Sequence, residues 1–158
     1  NMYGMFAWCM ALEYIDVRGF DTSQVTDMSD MFAWCYELKT LDVSGFNTSR
    51  VTDMSAMFDS CGELTVLNVS GFDTNQVTNM RSMFSGCKNL TYLDVSRFKT
   101  GRVTDMSWMF GFCEQLTDLD LSNFSMHQVT DNGDMFTGCD ALSPEVYAGI
   151  WEKPMYYR

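Results

Sequence analysis

Apolar residues recur along this chain in two spacings that alternate. From Val77 to Leu90, the positions Val77, Met80, Met83, Phe84, Cys87 and Leu90 stand three or four residues apart, a spacing that predicts a short amphipathic helix of about three turns. Thr78 or Asn79 is suited to cap its start. The pattern then switches to period two, with Leu93 and Val95 apolar around Asp94, which predicts a short strand. A strand followed by a helix in every unit requires parallel strands joined by crossovers.

This unit recurs every 26 residues. Cys9, Cys35, Cys61, Cys87, Cys113 and Cys139 are evenly spaced (35 − 9 = 26), and a Met-Phe pair stands before each, from Met5-Phe6 to Met135-Phe136. A second phenylalanine recurs at Phe20, Phe46, Phe72, Phe98 and Phe124, and Ile15, Leu41, Leu67, Leu93 and Leu119 share another column. One unit cannot bury its own apolar face, but stacked units bury it like on like. The expectation is an α/β repeat fold: a right-handed solenoid over residues 1–142, five to six 26-residue units with one short parallel strand and one short helix each. The hand follows from the near-invariant hand of parallel crossovers.

The ends depart from the repeat. Asn1 falls in the column of Asp27, Asp53, Asn79 and Asp105, so the chain begins inside a unit. Earlier repeats are therefore expected to precede it, and the uncapped apolar N-terminal end is expected to favour self-association. In the last unit Ser143-Pro144-Glu145 replaces the strand, a combination that starts helices. Residues 143–158 then form a C-terminal cap and tail. The cap helix spans 143–153 with Val146, Tyr147, Ile150 and Trp151 on its apolar face, Pro154 stops it, and 155–158 trail.

Composition narrows the function classes. Ten Lys+Arg against 21 Asp+Glu give a formal charge of −11, which repels phosphate backbones and argues against nucleic acid as a partner. A hydrophobic share of 46 % is too high for a disordered acidic tail. No apolar run approaches the roughly 18 residues of a membrane span. Asn1 to Phe6 lack the basic start and apolar block of a signal peptide.

The segment Leu90-x-x-Leu93-x-Val95 is close to the strand consensus of leucine-rich repeats. The whole unit, V-T-D-M-S-x-M-F-x-x-C-x-x-L-x-x-L-D-V-S-x-F, resembles the 26-residue repeat of bacterial surface proteins, the BspA-like leucine-rich repeats. The resemblance covers residues 1–142. Arg97 and Asn123 stand where the pattern has Gly, and Asn132-Gly133 replaces Met-Ser. It implies a leucine-rich-repeat solenoid of a secreted or cell-surface bacterial protein, acting in adhesion or host interaction, and names no ligand.

Catalytic chemistry finds little footing. The single histidine, His127, shares a turn column with Ser23, Ser49, Asn75 and Gly101, a poor place for a general base. There is no phosphate-binding glycine loop, no H-E-x-x-H and no paired cysteine motif for a metal. The chain is expected to be no enzyme, without cofactor or metal, and its cysteines to be buried free thiols.

Two surfaces are candidates for binding a protein or glycan on another cell. On the concave strand face lie Tyr14, Thr40, Val66, Tyr92 and Asp118, beside the acidic column of Asp16, Asp42, Asn68, Asp94 and Asp120. That column serves either a cationic partner, a glycan or Ca²⁺, or is a solvated face whose carboxylates bond loop N–H groups. A second acidic column, Asp27, Asp53, Asn79, Asp105 and Asp131, is expected to cap the helices. The alternative interface comprises aromatics that interrupt the repeat. Trp8, Trp34 and Phe112 precede cysteines where other units have Ser60, Gly86 and Gly138, and Trp108 replaces Asp30, Ala56 or Ser82. Trp8 and Trp34 are expected to stack on adjacent coils, and Trp108 and Phe112 to share a helix face. Such off-core aromatics suit interfaces. A non-enzymatic recognition module is the leading expectation, and a spacer presenting another domain the alternative.

Overall fold

A computed structural model describes residues 1–151. Its organising feature is a 26-residue register between successive coils. In the first coil the N–H groups of Met2, Gly4, Phe6 and Trp8 donate to the carbonyls of Asp27, Ser29, Met31 and Ala33 in the next, at 2.8–3.0 Å. The same alternate-residue ladder runs from Met28, Asp30, Phe32 and Trp34 to Asp53, Ser55, Met57 and Asp59, and on to the pair of Phe112 with Thr137.

The residues between these donors bond back three positions. Met31, Ala33, Cys35 and Leu38 donate to the carbonyls of Met28, Asp30, Phe32 and Cys35. Each coil thus contains a succession of tight turns where the spacing predicts a helix. An α-helix needs bonds to the fourth residue back and negative φ throughout. Here φ is positive at two places per unit, as at Asp30 (56°) and Trp34 (62°). The predicted helix in every unit is therefore replaced by stacked turns. The apolar spacing misleads because Met28, Met31, Phe32, Cys35 and Leu38 do all face the core, each at 0 % exposure. Only the backbone bonds differ, alternating between the next coil and the third residue back.

The predicted strands are likewise reduced. Among the described residues, parallel pairing is confined to isolated bridges: Tyr14 with Thr40, Leu41 with Leu67, Tyr92 with Asp118, and a series through Asp27, Asp53, Asn79, Asp105 and Asp131. The α-helix of this part of the chain, α1, spans Pro144–Trp151. Residues 152 and 153 of the predicted cap, its Pro154 stop and the 155–158 tail lie outside the described residues.

Side chains fasten the corners of each coil. The Oδ1 atoms of Asp27, Asp53 and Asp105 each accept from the N–H and hydroxyl of the serine two residues on. This column therefore closes turns and caps no helices, a correction to its expected role. Asp42 and Asp94 hold Ser44 and Ser96 in the same way, and Asn47 holds Ser49. Short polar side chains favour this local closure. A buried threonine column does more. Thr22, Thr48, Thr74 and Thr100 each donate Oγ1–H to a carbonyl of the next coil and accept the N–H of that same residue.

The core is a stack of like on like. Phe6, Phe32, Phe58, Phe84, Phe110 and Phe136 form one file with ring centroids 5.5–5.8 Å apart. Tyr147 of α1 ends it, its ring 5.1 Å from that of Phe136, while Ile150 is buried. Beside the rings runs a file of thiols. Cys35, Cys61, Cys87, Cys113 and Cys139 are buried and free, and Cys9 is free and exposed. Each buried Sγ–H donates to the carbonyl of a phenylalanine one coil back, from Phe6 to Phe110, at 3.0–3.2 Å. A disulfide reagent at pH 8 is expected to label Cys9 alone in the folded chain and all six in urea. Rapid labelling of two or more thiols without denaturant would contradict the packing.

Candidate functional site

The bridges place Tyr14 beside Thr40 and Tyr92 beside Asp118, so the predicted ladder face is assembled column by column. Alternation along the segment sends Val17, Leu41, Val43, Leu67, Val69, Leu93 and Val95 inward and leaves their neighbours outside. Tyr14, Val66 and Tyr92 are each more than 60 % exposed. Thr40, Asp16, Asp42, Asn68, Asp118 and Asp120 are exposed too, and Asp94 is half-buried.

A shallow cleft of about 280 Å³ lies between the first coils on this face, lined by Tyr14, Ile15, Asp16, Arg18, Thr40, Leu41, Asp42 and Val66. Its polar edge is an ion pair. Arg18 donates from Nε and Nη2 to the two Asp16 oxygens at 2.9 and 2.8 Å, a two-point fork that holds both groups in plane. The Arg18 side chain, with its backbone N–H, draws the Asp16 carboxyl down to about 2. Asp42 and Asp94 are held below the usual carboxylate range by the hydroxyls, then the N–H groups, of Ser44 and Ser96. These carboxylates are charged at neutral pH and already spend one oxygen on their own turns. Glu13 and Lys39 pair across one coil step at 2.7 Å, as Lys88 and Glu114 do at 3.5 Å. The ladder is thus a rigid, hydrogen-bonded acidic surface with tyrosines beside it.

The interrupting aromatics lie elsewhere on the coil, on the turn ladder. Trp8 and Trp34 stack on adjacent coils, centroids 5.0 Å apart and planes 1° from parallel. Trp108 and Phe112 stack at 5.7 Å and 23°, though no helix carries them. All four adopt positive φ, 57° to 65°, a region costly for any residue with a Cβ and rare for bulky ones. Gly86 and Gly138 take the same conformation in the same column, where glycine is unstrained.

Sequence reasoning passed over Asp59. Its carboxylate is half-buried, receives the Ser60 hydroxyl at 3.1 Å, and is pushed upward by burial. The signal was available, since its column otherwise holds Ala7, Ala33, Ser85, Gly111 and Thr137. The threonine column was missed as well, hidden among exposed threonines of identical composition. His127 is exposed. Among the described residues no three His, Cys, Asp or Glu side chains are grouped to hold a metal ion, and no helix is long and apolar enough to cross a membrane.

Comparison with known proteins yields a family model that matches residues 1–92 and 62–152, described as "Mycoplasma protein of unknown function, DUF285". No curated protein matches the chain. Among solved structures it is similar to a leucine rich cell surface protein from Faecalibacterium prausnitzii, 24 % identical, with a TM-score of 0.44, over 75 % of this chain. The chain spans 35 % of that protein's length.

Proposed function

From its membership of the DUF285 family, we propose that this chain is a non-enzymatic recognition module of a bacterial cell-surface or secreted protein, binding a protein or glycan of another cell. The observation that carries the reading is the contrast between columns. Buried columns repeat Met, Phe, Cys and Leu from coil to coil, whereas the exposed bridge column changes from Tyr14 to Thr40, Val66, Tyr92 and Asp118. A frame held by coil-to-coil backbone bonds can carry exchangeable side chains on one face without altering its fold. Tyrosine supplies rigid, amphipathic contact area at low entropic cost. The resemblance to BspA-like repeats adds the expected setting outside the cell.

The test is a screen of the labelled chain against arrays of glycans and surface proteins. A hit is then repeated with the double variant Tyr14→Ser/Tyr92→Ser. Loss of binding by about tenfold, as two interface anchors of this kind allow, with an unchanged melting temperature supports the ladder face. Equal binding by the variant refutes it. The spacer reading draws on the same coil-to-coil bonds, which favour a stiff rod. It predicts that both tyrosines can be replaced in the parent protein without loss of its activity.

A further inference from the structure

Along the turn ladder, the column before the cysteines reads Trp34, Ser60, Gly86, Phe112 in successive coils, tied by backbone bonds from Trp34 to Asp59, Ser60 to Ser85 and Gly86 to Gly111. Two large rings therefore flank two positions with almost no side chain. Three coil steps at strand-like spacing make this opening roughly 14 Å wide. Trp8 covers one face of Trp34, and the other faces the small residues. Trp108 stacks on Phe112 within the same coil, and a Cβ has no room at Gly111 against the Trp108 ring or at Gly138 against the Phe112 ring. In the floor, the Asp59 carboxylate sits beside the Ser60 hydroxyl. The Ser85 side chain also hydrogen-bonds it, and Asp30 is the charged group that bears on it. The strained φ of Trp34, Trp108 and Phe112 means that the rings stand where the backbone prefers glycine.

We propose that this notch is a docking surface for arginine side chains of a basic peptide segment, the guanidinium lying on the open face of Trp34 and donating to the Asp59 carboxylate. A guanidinium is planar, stacks on aromatic faces and forks onto carboxylates, which a lysine ammonium does not do in the same way. The formal charge of −11 draws such a segment to the chain. The site is distinct from the tyrosine ladder and does not depend on it.

The repeat itself supplies variants that keep the fold. Trp34→Gly reproduces Gly86 and Gly138 of its own column, and Asp59→Ser reproduces Ser85 of its own. The probes are blocked, fluorescein-labelled hexa-arginine and hexa-lysine, titrated by anisotropy at 150 mM salt, with tryptophan quenching as a second signal. Hexa-arginine is expected to bind more tightly than hexa-lysine. Each variant should weaken it about fivefold, the size of one cation–π or partly desolvated charge contact, whereas Tyr14→Ser/Tyr92→Ser should not. Equal affinity for the two peptides, or an arginine affinity indifferent to both substitutions, would overturn the proposal and leave diffuse charge attraction. So would a neutral oligosaccharide whose binding alone is lost in Trp34→Gly.

Discussion

Raising the pH from 8 to 10.5 is expected to destabilise this chain steeply, with no part played by its carboxylates, which are already ionised at pH 8. The buried thiol file is the cause. Desolvation pushes Cys35 and Cys139 up to about 11 and Cys61, Cys87 and Cys113 further still. In the unfolded chain the same thiols titrate near about 8.5. Above that pH the unfolded state sheds protons that the folded state keeps. Stability is therefore complete below the unfolded value and falls as pH rises toward the folded ones, by about 1.4 kcal/mol per pH unit for each thiol. Five thiols acting together outweigh the whole stability of an ordinary domain within two units. Urea midpoints at pH 8, 9 and 10 check this. The triple variant Cys61→Ala/Cys87→Ala/Cys113→Ala should start less stable at pH 8, because it leaves voids, yet lose stability more slowly with pH. An unchanged slope would show that other groups govern alkaline unfolding.

Thr74→Val is expected to cost roughly 2–6 kcal/mol, from the N–H and carbonyl of Lys99 both losing a part-buried partner at about 1–3 each. Thr74 is 1 % exposed. Its Oγ1 donates to the Lys99 carbonyl at 3.1 Å and accepts the Lys99 N–H at 2.7 Å. Valine has the same shape and can do neither. Thr74→Ser keeps both bonds and gives up one methyl, costing about 1 kcal/mol. Thr52→Val makes the contrast. Its hydroxyl also reaches the neighbouring coil, at the Thr26 carbonyl, but it is exposed and water replaces the lost bond, so the change should stay within about 0.5 kcal/mol. Equilibrium urea unfolding of the three variants separates these outcomes. Equal stability of Thr74→Val and Thr74→Ser would mean that the column is not what ties the coils at this corner.

Much of this architecture was legible in one dimension. The 26-residue recurrence of Cys, Met-Phe and Leu set which residues are buried and that each unit lies on its neighbours. The terminal helix was legible too, because Ser143, Pro144 and Glu145 carry a start signal that depends on nothing distant. The helix within each unit was not there. Apolar residues three and four apart serve a turn stack as well as a helix, and the choice belongs to the backbone. A helix satisfies its N–H groups alone, whereas these coils satisfy every second one on the next coil, a partner that exists only once the neighbour is in place. The left-handed residues at Asp30, Trp34 and their counterparts follow from that arrangement.

Of the candidate sites, the tyrosine ladder and the paired tryptophans could be placed from column membership, since residues 26 apart must be neighbours in any stack of such units. The notch between Trp34 and Phe112 could not. It needs a half-buried carboxylate at Asp59 and rings whose neighbours on the adjoining coils, Ser60 and Gly86, are small. The sequence alone determined the repeat length, the buried columns and their order, because like residues at one period can only be hidden by stacking. Tertiary structure alone decided where the hydrogen bonds run and which exposed side chains converge, because a donor's partner in this chain lies a full coil away.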